Sequence, residues 1–216
     1  MAVGGDRRRI GQDARHGGAG KGSSVTDPFI DQVSRAGRIG VRDQMGSSSG
    51  VETVDPVDLA AVQSQLGRIP RGVAAVAHRC PCGLPDVLRT EPRLPDGTPF
   101  PTTYYATCPR LTGAISTLES RGMMREMTER LEADPELASA YAAAHEDYLR
   151  RRGELGDVAE IEGVSAGGMP SRVKCLHVLV GHSLAVGPGV NPLGDEALEA
   201  LGSWWAAGPC VPRGDA

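Results

Sequence analysis

The pattern of hydrophobic and polar residues divides the chain at about residue 54. Residues 1–53 are rich in Gly, Ser, Arg and Asp and show neither helical nor strand periodicity, which predicts a disordered tail. Met45 is followed by Gly-Ser-Ser-Ser-Gly, so two interpretations stay open: translation starts naturally at Met45, or the basic tail is genuine. We expect a single domain over residues 54–201 and a loose C-terminal tail over residues 202–216.

The first part of this domain has the pattern of one helix followed by strands. Helix signals run from the N-cap pair Asp55-Pro56 to the stop at Gly67. Three segments rich in β-favouring residues follow at 71–79, 86–90 and 102–107, and Pro- and Gly-containing turns separate them. The simplest arrangement is a three-stranded antiparallel meander.

From Leu111 onward the apolar residues take helical spacing. Three helices are predicted in series, the last closed by Arg150-Arg-Arg152. A further helix is expected to open at Pro170 and to end at Gly187, and a last helix to be capped by Asp195. The predicted fold is therefore α+β, a small three-stranded antiparallel sheet with five or six packed helices.

Charge and hydropathy narrow the class of protein. Residues 1–45 contain eight basic and five acidic residues, so the net charge of −4 leaves −7 on the remainder. An acidic folded part argues against general nucleic-acid binding. The sequence has neither a membrane-length apolar run nor a signal-peptide pattern. We expect a cytoplasmic protein that does not insert into membranes.

The cysteines are the candidate metal ligands. The outer strands of a meander run in the same direction, so Cys80 and Cys82 after the first strand and Cys108 after the third are expected at one sheet edge. Cys175, on the helix expected to open at Pro170, would complete the set. Four thiolates suit structural zinc or an iron–sulfur cluster. The alternative is that Cys108 and Cys175 are buried small hydrophobic residues.

The histidines have weaker claims as ligands. On a regular helix His182 would lie about 10.5 Å along the axis from Cys175, too far to share one ion. His177 would face away from Cys175 on a regular helix, but it could replace one cysteine if the first turn is irregular. Both histidines are otherwise interpreted as core residues.

A glycine-rich loop offers a separate hypothesis. Gly167, Gly168, Ser171, Arg172 and Lys174 could place backbone N–H groups, a helix N-terminus and two cations around an anion. The motif is not a nucleotide-binding signature, and its alternative is a flexible loop. A second catalytic interpretation makes Cys175 a thiolate nucleophile with a histidine as base.

Several sequence blocks in order resemble the uncharacterised actinobacterial family called domain of unknown function 501. They are Leu94-Pro-Asp-Gly-Thr-Pro-Phe-Pro101, Met123-Met-Arg-Glu-Met-Thr-Glu-Arg130, Gly167-Gly-Met-Pro170, Arg172-Val-Lys-Cys-Leu-His177 and Gly187-Pro-Gly-Val-Asn-Pro192. The resemblance covers about residues 55–201. It implies no reaction and no catalytic residues, because none is established for the family.

Three functions follow from these observations. The leading interpretation is a cytoplasmic accessory or regulatory protein stabilised by a metal on Cys80, Cys82, Cys108 and Cys175, with His177 as a substitute ligand. The second is an enzyme or binding protein for a phosphorylated or other anionic small molecule at the loop Gly167–Lys174. The third is a protein–protein interaction module without metal.

Overall fold

A computed structural model describes residues 54–212, which form three strands and six α-helices. The predicted tail over residues 1–53 and residues 213–216 lie outside the described range. In chain order the elements are α1 (Pro56–Leu66), β1 (Val73–Arg79), β2 (Pro85–Thr90), β3 (Tyr104–Ala106), α2 (Pro109–Ser120), α3 (Met123–Ala133), α4 (Pro135–Gly153), a short 3-10 helix (Ala159–Ile161), α5 (Leu176–Val186) and α6 (Pro192–Leu201).

The sheet is the predicted antiparallel meander, with strand order β1-β2-β3. Together with the helices it confirms the predicted α+β fold. The start of α1 is also as the sequence indicates: the Asp55 carboxylate accepts from the Val57 N–H at 2.8 Å, and Pro56 occupies the first turn. Gly67 ends α1 in a left-handed conformation (φ 66°).

The apolar helix α5 lies at the centre of the core. Its residues 176 and 178–183 are all buried, as expected for a helix that is hydrophobic on every side. Two glycines allow close approach of its neighbours. A Cβ on Gly181 would stand 3.2 Å from the Tyr104 carbonyl oxygen in β3, and a Cβ on Gly194 in α6 only 2.4 Å from the Leu179 carbonyl oxygen.

The predicted start of α5 at Pro170 is wrong, because the helix begins at Leu176. The segment from Gly167 to Lys174 is instead a loop whose two ends are hydrogen-bonded. The Lys174 N–H donates to the Gly167 carbonyl at 2.7 Å. The Val173 N–H donates to Thr128 Oγ1 of α3 at 3.1 Å. These bonds hold the segment as a loop.

The predicted N-cap of the last helix is also wrong. Asn191 caps α6 by accepting from the Gly194 N–H at 3.0 Å, and Pro192 fills the first turn. Asp195 lies inside the first turn and accepts from the Gly189 N–H at 2.7 Å. Asn-Pro is itself an N-cap signal and comes earlier in the chain than Asp195.

Residues 203–212, predicted as part of the loose tail, return to the domain. Trp204 and Cys210 pack against the core, and Arg110 donates to the Pro209 carbonyl at 3.2 Å. Across residues 54–212, none of the helices combines the length and apolar character that a membrane span requires. The cytoplasmic location stays a prediction.

Candidate metal centre

The ends of two helices bring a carboxylate, a thiol and an imidazole together. Glu119 lies in the last turn of α2, and Cys175 and His177 lie at the start of α5. Cys175 is the N-cap of α5 and has an extended backbone (φ −157°, ψ 114°), so the regular helical angle between positions i and i+2 does not apply. The two side chains converge for this reason.

The distances define a compact group. The Cys175 Sγ lies 3.7 Å from the His177 Nδ1, and this nitrogen lies 3.2 Å from the Glu119 Oε1. The same carboxylate oxygen accepts from the Leu176 N–H at 2.8 Å. Glu119 therefore supplies the N-terminus of α5 with a hydrogen-bond acceptor and a negative charge, which the helix dipole favours.

The surroundings of His177 favour its protonated form. The hydrogen bond with Cys175 and the negative charge of Glu119 raise the pKa of the imidazole, and burial opposes them in part. All three residues are half-buried, and in residues 54–212 they form the one group of three potential ligand atoms lying within 4.8 Å of one another.

Two members of the group, Cys175 and His177, line a cleft of about 470 Å³. Cys175, His177 and Val178 of the α5 N-terminus form one wall, and residues of β3, α1 and the α2 N-terminus form the others. Gln65 and Thr107 lie on this lining and are more than nine-tenths buried. Their Oε1 and Oγ1 atoms have no hydrogen-bond partner within the described part of the chain. Both oxygen atoms are shielded from solvent.

The structure does not gather the four cysteines that the sequence suggested as ligands. Cys80 hydrogen-bonds with Cys82 in the turn after β1, whereas Cys108 hydrogen-bonds with Cys210. Cys175 lies with the imidazole and carboxylate described above. The order of the strands is therefore not enough to predict which cysteines come together. Cys108 lies beside the C-terminal segment, and the sequence did not indicate that this segment packs against the core.

The glycine-rich loop differs from the arrangement assumed for an anion pocket. Its N–H groups at Arg172 and Lys174 donate to the carbonyls of Gly168 and Gly167, so they are used within the loop. Ser171, Arg172 and Lys174 have exposed side chains. The helix N-terminus lies further along, at Leu176, and anion binding at this loop stays a prediction.

His182 has the structural role that the sequence indicated. It is fully buried and stacks against Tyr104, with the ring centroids 5.6 Å apart. Its Nε2 lies 3.0 Å from the Asp147 Oδ2. Burial lowers the pKa of His182, and the hydrogen bond with Asp147 opposes this effect. The imidazole belongs to the α4–α5 contact and lies apart from the metal-ligand candidates.

Glu119 is the residue that sequence reasoning missed. It is 58 residues away from His177 in the sequence and lies on a helix whose polar positions have the spacing of a solvated face. A local motif could not reveal it, because only the packing of α2 against α5 brings it to the thiol.

The comparisons with known proteins leave the activity open. No curated protein and no solved structure matches the chain. One family model matches residues 76–199, a span that includes Glu119, Cys175 and His177 and more than half of the chain. The chain therefore belongs to the family described as protein of unknown function (DUF501).

Proposed function

We propose that this protein binds a divalent transition metal, with zinc best suited, through Cys175 Sγ, His177 Nδ1 and Glu119 Oε1. One observation carries the proposal: each of the three residues offers a ligand atom within 4.8 Å of the other two, and Cys175 and His177 line a cleft. Thiolate, imidazole and carboxylate are all established zinc ligands.

The separations agree with tetrahedral coordination. Zinc bonds of about 2.3 Å to sulfur, about 2.05 Å to nitrogen and about 2.0 Å to oxygen place S and N about 3.6 Å apart and N and O about 3.3 Å apart. The corresponding distances here are 3.7 Å and 3.2 Å. These two separations therefore fit a shared ion.

Three protein ligands leave a fourth position for water or a ligand, which distinguishes catalytic from structural zinc sites. Cys175 and His177 line the cleft, so a ligand bound in the cleft would approach the ion beside these two residues. We therefore favour a metal-dependent enzyme or ligand-binding protein over an accessory protein that metal merely stabilises. Zinc in such a centre lowers the pKa of bound water or polarises a bound ligand.

A thiol-based enzyme is the second candidate. Cys175 is half-buried at a helix N-terminus and lies beside His177, a setting that activates cysteine nucleophiles. The geometry favours metal, because one nitrogen, the His177 Nδ1, faces both the thiol and the Glu119 carboxylate. In a nucleophile–base–acid relay, the imidazole uses one nitrogen for the nucleophile and the other for the acid.

Metal content after dialysis against zinc tests the proposal, with elemental analysis as the readout. Wild type should retain one zinc per chain, and Cys175→Ser and His177→Ala should retain none. Cys82→Ser is the matched control, because it removes a thiol that lies outside the group, and it should bind as wild type does.

The control also separates the alternatives. Loss of zinc in both cysteine variants would instead support the site on Cys80, Cys82, Cys108 and Cys175. If wild type binds no zinc and Cys175 reacts rapidly with iodoacetamide, the thiol enzyme replaces the metal centre. If zinc is absent and Cys175 is unreactive, neither candidate stands.

A further inference from the structure

The hairpin between β1 and β2 contains a second pair of thiols, apart from the proposed metal centre. Its turn is Cys80-Pro81-Cys82-Gly83, closed by a hydrogen bond from the Gly83 N–H to the Cys80 carbonyl at 2.7 Å. Proline suits the second position of such a turn. Glycine suits the fourth position, where Gly83 has a left-handed backbone (φ 87°). A second bond, from the Cys80 N–H to the Leu84 carbonyl at 3.0 Å, fixes the hairpin register.

This turn holds the two sulfur atoms together. Consecutive Cα atoms are about 3.8 Å apart, and a reverse turn brings its first and third Cα to about 5.5 Å. A disulfide needs a Cα separation of about 4.4–6.8 Å. The Cys80 thiol also interacts with the Cys82 side chain. The turn therefore favours a bond between the two sulfur atoms.

The two thiols have different environments. Cys80 is 4% exposed, whereas Cys82 is half-buried. Burial, more than any other cause, raises the pKa of Cys80 to about 11. A bulky reagent can therefore reach Cys82 but not Cys80, which is the division between an attacking and a resolving cysteine.

We propose that Cys80 and Cys82 form a thiol–disulfide exchange site that takes small-molecule disulfides of the glutathione class, with Cys82 attacking and Cys80 resolving. The Cys82 thiolate bonds to one sulfur of the disulfide, and the other sulfur leaves as a thiolate that takes a proton from water. Cys80 then bonds to Cys82 Sγ and gives up its proton. The second small thiol leaves as a thiolate and receives this proton. Two protein thiols are oxidised, and one disulfide is reduced to two thiols.

Mass spectrometry of the full chain after incubation with glutathione disulfide tests the site. Trypsin cleaves after Arg79 and Arg89 and releases Cys80 and Cys82 on one peptide without other cysteines. In wild type this peptide should lose two hydrogens and carry no glutathione. Cys80→Ser should retain one glutathione on Cys82. Cys82→Ser should form neither the internal disulfide nor a glutathione adduct on this peptide. The control Cys210→Ser should behave as wild type.

The exchange site itself is overturned if the wild-type peptide keeps a stable glutathione adduct, or if both thiols stay reduced while dithiothreitol is oxidised under the same conditions. The wild-type and Cys82→Ser results decide this even if Cys80→Ser does not fold.

Discussion

Replacing Tyr148 by Phe tests how the cleft wall is held in place. The Tyr148 hydroxyl accepts from the Thr103 N–H at 2.6 Å, directly before β3, and donates to the Pro101 carbonyl at 3.4 Å. Both Tyr148 and Thr103 are essentially inaccessible to solvent. Phe keeps the packing of the ring, but it leaves a buried backbone N–H without an acceptor.

An unsatisfied buried donor of this kind costs about 1–3 kcal/mol. We therefore expect the free energy of unfolding to fall by about 2 kcal/mol in Tyr148→Phe. In a domain of this size that corresponds to a decrease in Tm of about 4–8 °C. Urea unfolding followed by circular dichroism measures the change directly.

Tyr105→Phe, in β3, is the matched control. Among residues 54–212 its hydroxyl has only a long contact of 3.5 Å with the exposed Arg68, so its removal should change the stability by less than about 0.5 kcal/mol. Equal effects of the two substitutions would refute the reasoning, because the buried N–H of Thr103 would then not need the Tyr148 hydroxyl.

Two further predictions concern helix packing and acid stability. Gly194→Ala should lower the free energy of unfolding by about 2 kcal/mol or more, because its Cβ would stand 2.4 Å from the Leu179 carbonyl oxygen. Gly113→Ala is the control, because no atom of residues 54–212 lies within 4 Å of the new Cβ on this exposed face of α2. It should be neutral or stabilising by up to about 1 kcal/mol; similar losses in both variants would count against the close α5–α6 contact. Burial alone would raise the pKa of Asp147, but hydrogen bonds from arginines and from His182 outweigh it and lower the pKa to about 2 from the model-peptide value of 3.8. The charged carboxylate therefore stabilises the fold above about pH 4, and this contribution is lost as the pH falls toward 2, with about 1 kcal/mol lost by pH 3. Urea unfolding at pH 7 and pH 3 should show a larger loss in wild type than in Asp147→Asn, and parallel losses would contradict the assignment.

The sequence could predict the fold because its local signals agree with one another. The Asp55-Pro56 start, the Gly67 stop and the change from strand to helical periodicity each have a single simple interpretation. The errors occur where two signals compete. Pro170 has the pattern of a helix start. However, the segment Gly167–Lys174 forms a hydrogen-bonded loop attached to α3, and α5 therefore begins only at Leu176.

The site was less predictable than the fold, for geometric reasons. Cys175 could be chosen as a ligand from composition and position, and His177 could be added because a helix start can be irregular. Glu119 depends on the packing of α2 against α5, which spacing in the sequence does not encode. The separate pairing of Cys108 with Cys210 depends on a C-terminal segment that lacks helical or strand periodicity.

The cobalt(II) spectrum of the protein tests the metal centre most directly, because it reports the ligands as well as binding. Tetrahedral cobalt with one thiolate ligand gives intense visible bands and a sulfur-to-metal charge-transfer band in the near ultraviolet. We expect both in wild type and in Cys82→Ser, with zinc displacing the signal. Cys175→Ser should lack the charge-transfer band. A wild-type spectrum identical to that of free cobalt, or a charge-transfer band that survives in Cys175→Ser, would contradict the centre proposed at Glu119, Cys175 and His177.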